Sequence, residues 1–316
     1  MSSIHSVQHV LASEDNLTQV FDESFTAALA NTSWQAFMGE RPGLGIKENL
    51  EWLKQTLTIA KLPNGQMVFA DLKSIGYQIV HEEFGMGFRV DKRQFQFDDF
   101  SKAEQAASQL GKLAAYHPQV MAEDLLKEGE SQICYDQQFY FDTDHPVNGE
   151  NADDGVFSNY NASNMALTPA NFDTRIAAME SRVMPNGISR NVKAKYLVVP
   201  PALRKEAFEI TKAKFLGQST GGTNDNVLTL YGVEPIVIPG LAASAGGSDT
   251  TWYLFGEEPG IMGKPLVYSI GDNFGLNSYD GVTQAELMRL NALEYMLRGF
   301  IAAAYGHPYL ADKNVG

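Results

Sequence analysis

Asp142, Asp144 and His145 fall within four residues, near the end of the stretch GESQICYDQQFYFDTDHP that runs from Gly129 to Pro146. Two carboxylates and an imidazole at that spacing are the groups from which a divalent-metal site, or an acid–base pair for hydrolysis or group transfer, is built. The same letters also read as architecture. Ile133-Cys134-Tyr135 and Phe139-Tyr140-Phe141 are short apolar runs around a turn at Asp136-Gln137-Gln138. An Asp-x-Asp-His-Pro end would stop such a hairpin, because Asp bonds its own backbone and Pro cannot continue a ladder. A single Asp-x-Asp is a weak signal, so the architectural reading carries more weight.

Little else in the chain points to catalysis. The sequence has no Gly-x-Ser-x-Gly elbow, no His-Glu-x-x-His, no Cys-x-x-Cys and no dinucleotide fingerprint. The six histidines (5, 9, 81, 117, 145 and 307) are scattered, and His81-Glu82-Glu83 lacks the second histidine that a helical zinc site needs. The loop Gly217-Gln-Ser-Thr-Gly-Gly-Thr-Asn has no phosphate-loop lysine. No catalytic residue, metal or cofactor is assigned, and the chain is not expected to be an enzyme. The one chemical alternative is a metal-dependent hydrolase or transferase using Asp142, Asp144 and His145.

Composition narrows the classes further. A chain of 316 residues, 44% apolar and 20% charged, can build a large core. Its net charge of −14 argues against a dedicated nucleic-acid binder, whose affinity comes mainly from Lys and Arg on phosphates, though not against a protein that encloses nucleic acid. Cys134 is the sole cysteine, so no intrachain disulfide forms and a reducing compartment fits. The first residues show no secretory pattern and no stretch has the apolar length of a membrane span, so a soluble protein kept in a cytoplasm is expected.

The elements that must hold these residues can be read in order. Residues 1–12 read as extended or mobile, and Ser13 as the cap of a helix with Leu17, Phe21, Phe25, Ala28 and Leu29 on one stripe. That stripe fits either the chain's own core or a neighbouring subunit. Thr56–Ile59 and Gln66–Phe69 flank Leu62-Pro63-Asn64-Gly65, a strong hairpin signal because both Asn and Gly tolerate positive φ. The hairpin carries Trp52, Leu57, Met67 and Phe69 with Lys54, Lys61 and Lys73. It either folds back on its own domain, to which its residues alone lean, or projects and is completed by another chain.

Further along, the inward parity of the strand pattern switches near Glu82-Glu83, which predicts a bulge or bend. Gly85 and Gly87 alternate with large residues and keep one strand face bare. Ser101-Lys-Ala-Glu104 is a capping box opening a helix of about 40 Å over 101–128, with an alanine-rich stripe and a bend at Pro118. Thr168-Pro169 opens another helix to about Arg182, with Phe172, Ile176 and Met179 inward. A buried strand at 195–199, a helix over 202–216 and strands at 227–231, 235–238 and 251–255 follow. Residues 287–308 read as a short helical start leading into a long strand.

The ordered set Lys73-Ser-Ile-Gly-Tyr77, Phe84–Phe97, the helix from Ser101 to Glu128, Cys134-Tyr-Asp136…Phe139, Asp144-His-Pro146, Ser158-Asn and Tyr196-Leu-Val-Val-Pro-Pro201-Ala-Leu resembles the major head subunits of Mu-like tailed phages. The resemblance covers about 45–310 and is weakest after Gly217. It implies an α+β fold of the HK97 capsid type: an N-terminal arm (1–40), an E-loop hairpin (41–76), a P-domain (77–164) with the spine helix 101–128, an A-domain (165–262) and a return to the P-domain (263–316).

It also implies a virion protein that self-assembles as hexamers and pentamers into an icosahedral head around double-stranded DNA. Assembly in the host cytoplasm would involve scaffolding protein and portal, and a cement or decoration protein could join. The N-terminal region is too short for a sizeable fused scaffold, so scaffold and any maturation protease are expected to be separate proteins. The subunit interface would include Trp52, Lys54, Leu57, Lys61, Asn64, Gly65, Met67, Phe69 and Lys73. An encapsulin-like compartment would share the fold but hold protein cargo.

Overall fold

In a computed structural model, residues 2–53, 74–91, 101–149, 152–217, 223–258, 263–278 and 292–316 are described. The chain opens with helix α1 (Ser2–Leu29). The helix thus starts eleven residues before the expected Ser13 cap, and the extended reading of 1–12 is corrected. Strands β1 (Met38–Pro42), β2 (Lys47–Leu53), β3 (Ser74–Val80) and β4 (Glu82–Asp91) precede helix α2 (Ser101–Glu128). The two-residue strands β5 (His145–Pro146), β6 (Val156–Phe157) and β7 (Tyr160–Asn161) lead to helix α3 (Pro169–Glu180). Then come β8 (Ala194–Val199), helix α4 (Arg204–Lys212), β9 (Phe215–Gly217), β10 (Thr223–Asp225), β11 (Glu234–Val237) and β12 (Thr251–Gly256). Long strands β13 (Leu266–Ser278) and β14 (Ala292–Tyr305) and the terminal β15 (Ala311–Val315) complete the order.

Two sheets organise the body. One runs β1-β13-β14-β4, with β1 parallel to β13 and the other pairs antiparallel. The other runs β11-β8-β12-β15-β7, mixing parallel edges with an antiparallel centre. Helices α1 and α2 pack together on the first sheet, where Leu17 and Phe21 meet Ala103, Ala107, Leu110 and Ala114, with Val90, Leu276, Tyr295 and Leu297 beneath. The small-residue stripe of α2 lets α1 come close. A Cβ on Gly111 would lie 2.5 Å from the carbonyl oxygen of Phe21, so only glycine fits that crossing. The α1 stripe therefore has a partner within its own chain.

Local signals held where they were local. Helix α2 has the expected bounds, with Pro118 buried inside it. Thr168 Oγ1 accepts from Asn171 N and caps α3, whose Phe172, Ile176 and Met179 are buried. Residues 292–305 form the expected long strand, and the helical start expected from 287 lies outside the described residues. Residues 227–231, expected as a strand, form a 3-10 turn because the Asn226 side chain caps Leu228 N and Gly232 closes the turn at φ 69°. The helix expected over 202–216 is shorter: a 3-10 turn precedes α4, which stops at Lys212. The parity switch near Glu82 is a change of sheet, since β3 pairs with β2 and β4 pairs with β14 on either side of His81.

Candidate functional site

The Gly129–Pro146 stretch does not assemble the acidic triad. Asp144 is exposed and Asp142 half-buried, whereas His145 is completely buried. The Asp142 carboxylate accepts from Thr143 N at 2.7 Å, a local turn contact. The partner of His145 is instead Asp136, nine residues earlier: Nδ1 lies 2.7 Å from Asp136 Oδ2. Cys134 Sγ donates to the other carboxylate oxygen at 2.8 Å, and Gln138 N reaches the same oxygen at 3.2 Å. Because a carboxylate only accepts, Nδ1 donates to it, and Nε2 is buried with no hydrogen-bond partner among the described residues. The expected hairpin contracts to one bridge, Ile133 to Phe139, because Gln137 takes φ 69° and Asp136 turns inward.

Among the described residues, Cys134, Asp136 and His145 are the group whose donor atoms converge closely enough for a metal, all within 4.8 Å. Their measured contacts are hydrogen-bond lengths, below the roughly 3.3–3.7 Å between donors around a tetrahedral zinc. Burial and the adjacent Asp136 carboxylate also push the Cys134 thiol far above its ordinary range, so it stays protonated and is a poor nucleophile. The cluster acts as a hydrogen-bonded corner. His145→Ala is expected to cost about 2–4 kcal/mol through lost packing and a stranded Asp136. A chelator is expected to leave the melting temperature unchanged. A chelator-induced drop restored by zinc would make the corner a metal site.

The corner joins three parts of the molecule. Tyr140 donates from its hydroxyl to Pro265 O at 2.7 Å and stacks on Tyr305 at 4.4 Å, reaching the first sheet. Phe141 packs on Tyr253 of the second sheet, and Gly129 gives it room, since a Cβ there would lie 2.5 Å from the Phe141 ring. Asn159 is the clasp: its Oδ1 accepts from Asp142 N, and its Nδ2 donates to Tyr140 O and Pro308 O. Sequence reasoning gave Asn159 no role, because its partners lie up to 149 residues away.

Beside the corner, His307 lies between the rings of Tyr135 and Tyr309. Burial first, and then the Arg190 charge, lower its pKa to about 3. An unfolded imidazole titrates near 6.5, so between those values the unfolded chain binds a proton that the folded chain refuses. This contribution is complete above pH 6.5 and is lost as pH falls towards 3. We expect it to remove about 2 kcal/mol between pH 7 and 5. Urea melts at both pH values should show that loss in the wild type and not in His307→Gln.

One of the expected interface residues, Trp52, belongs to a ribbon. Strands β2 and β3 form a two-stranded sheet of their own, with Lys47 opposite Val80 and Leu53 opposite Ser74. Trp52 lies on this ribbon opposite Ile75. Lys54, Leu57, Lys61, Asn64, Gly65, Met67, Phe69 and Lys73 lie outside the described residues. At the ribbon's root Leu50 and Ile79 enter the core, while Leu44, Ile46 and Val80 are left exposed.

Residues 14–166 match the family described as Mu-like prophage major head subunit gpT. A segment of 138 residues is 27% identical to the Mu-like prophage FluMu major head subunit of Haemophilus influenzae, covering 43% of this chain and 40% of that protein. Another of 101 residues is 31% identical to the major capsid protein of Escherichia phage Mu, covering 32% of each. The matches thus span less than half the length of these curated relatives. The subunit in the procapsid of bacteriophage JBD30 superposes with a TM-score of 0.54 at 17% identity, over 96% of this chain and 75% of that one. Residues 14–166 are thus similar to the Mu-like major head subunits, and the fold that carries them is the HK97-type fold of phage capsid proteins and encapsulins.

Proposed function

We propose that this chain is the major capsid protein of a tailed double-stranded DNA phage, a structural subunit rather than an enzyme. It would assemble as hexamers and pentamers into an icosahedral head. The observation that carries the reading is the head-subunit family match over 14–166 on a capsid fold. The ribbon supports it. A two-stranded sheet is marginal in water by itself, and exposed Leu44, Ile46 and Val80 at its root suit a surface that a neighbouring subunit covers. A net charge of −14 suits a wall facing packed DNA, where strong non-specific attraction would oppose packaging and release.

In this reading the arm, E-loop, P-domain and A-domain are 1–40, 41–76, 77–164 and 165–262, with 263–316 returning to the P-domain. Lys54, Lys61 and Lys73 meet acidic groups of an adjacent P-domain, each pair contributing about 0–1 kcal/mol. Scaffolding protein and portal act during assembly in the host cytoplasm, and the finished protein resides in the virion. A decoration protein is a further partner: one solved JBD30 capsid of this fold is decorated with minor capsid protein trimers. Sedimentation and negative-stain microscopy of the purified protein with its scaffold test the reading. Closed shells are expected, and a monodisperse monomer under all conditions would overturn it. Protein cargo in place of DNA would assign the shell to an encapsulin-like compartment.

A further inference from the structure

The ribbon joins the four-stranded sheet at two points, residues 43–46 on the way out and His81 on the return. His81 N donates to Ile46 O at 2.9 Å, tying the two connections together, and Gly43 N donates to Ile270 O at 2.7 Å. Directly beneath, four polar side chains from different segments meet: Arg41 of β1, Glu48 of β2, Ser269 of β13 and His81 between β3 and β4. Arg41 forms an ion pair with Glu48 Oε1. Ser269 Oγ donates to Glu48 Oε2 at 3.2 Å and lies 2.9 Å from His81 Nε2. Glu48, Ser269 and His81 are all buried.

The proton count fixes the arrangement. Ser269 has one hydroxyl proton and gives it to Glu48, so His81 Nε2 must donate to Ser269 Oγ. His81 Nδ1 is buried and has no hydrogen-bond partner among the described residues. The imidazole stacks on Phe300 of β14, 5.3 Å between centroids. The root cannot be padded either, because a Cβ on Gly43 would come within 2.6 Å of His81 Nε2 and 3.0 Å of Gly271 N.

A buried polar chain of this kind is a poor way to gain stability, since apolar side chains of similar volume serve as well or better. What it supplies is direction: hydrogen bonds and an ion pair, each spanning two segments, favour one angle between ribbon and sheet. The unsatisfied Nδ1 leaves that angle less stable than full pairing would make it, as a latch that can release requires.

We propose that Arg41, Glu48, Ser269 and His81 form a latch that sets the angle of the ribbon, with 43–46 and His81 as its hinge. Opening it frees the ribbon to swing and changes the shell that the subunits build. The second half of this proposal rests on the reading of the ribbon as an assembly arm; the first half does not. These are positioning residues, and the test must read the angle itself.

Spin labels at Gln78→Cys on the ribbon and Lys112→Cys on α2 are both at exposed positions, whereas Cys134 is buried. Their separation would be measured by double electron–electron resonance in the full-length monomer. One narrow distance peak is expected in the otherwise wild-type chain, and a broadened or second peak in Ser269→Ala and in the milder Glu48→Gln, with far-UV circular dichroism retained. With scaffold, the same two variants are expected to give open or mixed-size particles. An unchanged distance peak in the variant that folds overturns the latch, whatever the particles look like. A changed peak in variants whose parent never forms shells keeps the latch and overturns the assembly reading.

Discussion

Asp312→Ala is expected to destabilise the subunit by about 3–5 kcal/mol, enough to lower the melting temperature by roughly 4–8 °C. Asp312 is completely buried in β15, opposite Leu254 of β12. Arg175 of α3 grips it with two parallel bonds, Nε to Oδ2 at 2.8 Å and Nη2 to Oδ1 at 2.7 Å. Arg182 adds a third from Nη2 at 3.2 Å and donates from Nη1 to Tyr309 O and Ala311 O. Burial pushes the Asp312 carboxyl up and the Arg182 guanidinium down, each against the pull of the other. Removing the carboxylate therefore leaves two guanidiniums without their buried counter-charge.

The size of the effect follows from that stranding rather than from any large net value of the ion cluster. Asp312→Ala combined with Arg175→Leu should therefore recover part of the loss, because it removes one unpaired charge along with the carboxylate. Urea melts of the single and double variants measure the difference. A single variant within 1 kcal/mol of the parent would mean that water or a shifted Arg182 replaces the carboxylate. The cluster also explains why the last strand sits inside a sheet, since it ties β15 to α3.

None of this was legible in the sequence. Arg175 and Asp312 are 137 residues apart, and neither stands in a pattern that marks a partner. What could be read was periodic or local. The Ser101 capping box and the alanine spacing fix α2 because a helix repeats its face every 3.6 residues, and Thr168-Pro169 fixes the start of α3. The apolar stripe of α1 was legible but its partner was not, because Gly111 becomes informative only once Phe21 lies over it.

The Asp-x-Asp-His stretch shows the limit from the other side. Its residue types suggested chemistry, yet the carboxylate that matters is Asp136, which reads as a turn residue. Only folding shows that Gln137 takes a positive φ and turns the Asp136 side chain towards His145. The parity switch at 82–83 was a real signal with the wrong cause. A bulge and a change of sheet both reverse inward parity, and β-pairing decides between them. The corner is architecture, the reading to which its letters leaned, while His81, which sequence reasoning set aside as a poor zinc ligand, joins the polar group at the root of the ribbon.

Removing residues 60–67 is expected to leave the subunit folded, with stability within about 1 kcal/mol of the parent, and to abolish closed shells. The paired part of the ribbon forms its own two-stranded sheet, and among the described residues its root residues Leu50 and Ile79 reach the main core. The other two core clusters draw on α1, α2, α3 and the two large sheets. Cutting outside the root therefore removes no described core contact, and the Arg41–Glu48–Ser269–His81 group stays intact below the cut. Assembly should respond differently, because a closed shell repeats the same contact at every subunit. A loss of 1–2 kcal/mol per interface, too small to unfold a monomer, is multiplied over the whole particle. Urea melts, sedimentation velocity and negative-stain microscopy on one preparation separate the outcomes. A folded monomer without shells places the ribbon at the interface between subunits. Unfolding on truncation would place 60–67 in the subunit's own core, and normal shells would show that assembly runs through another surface.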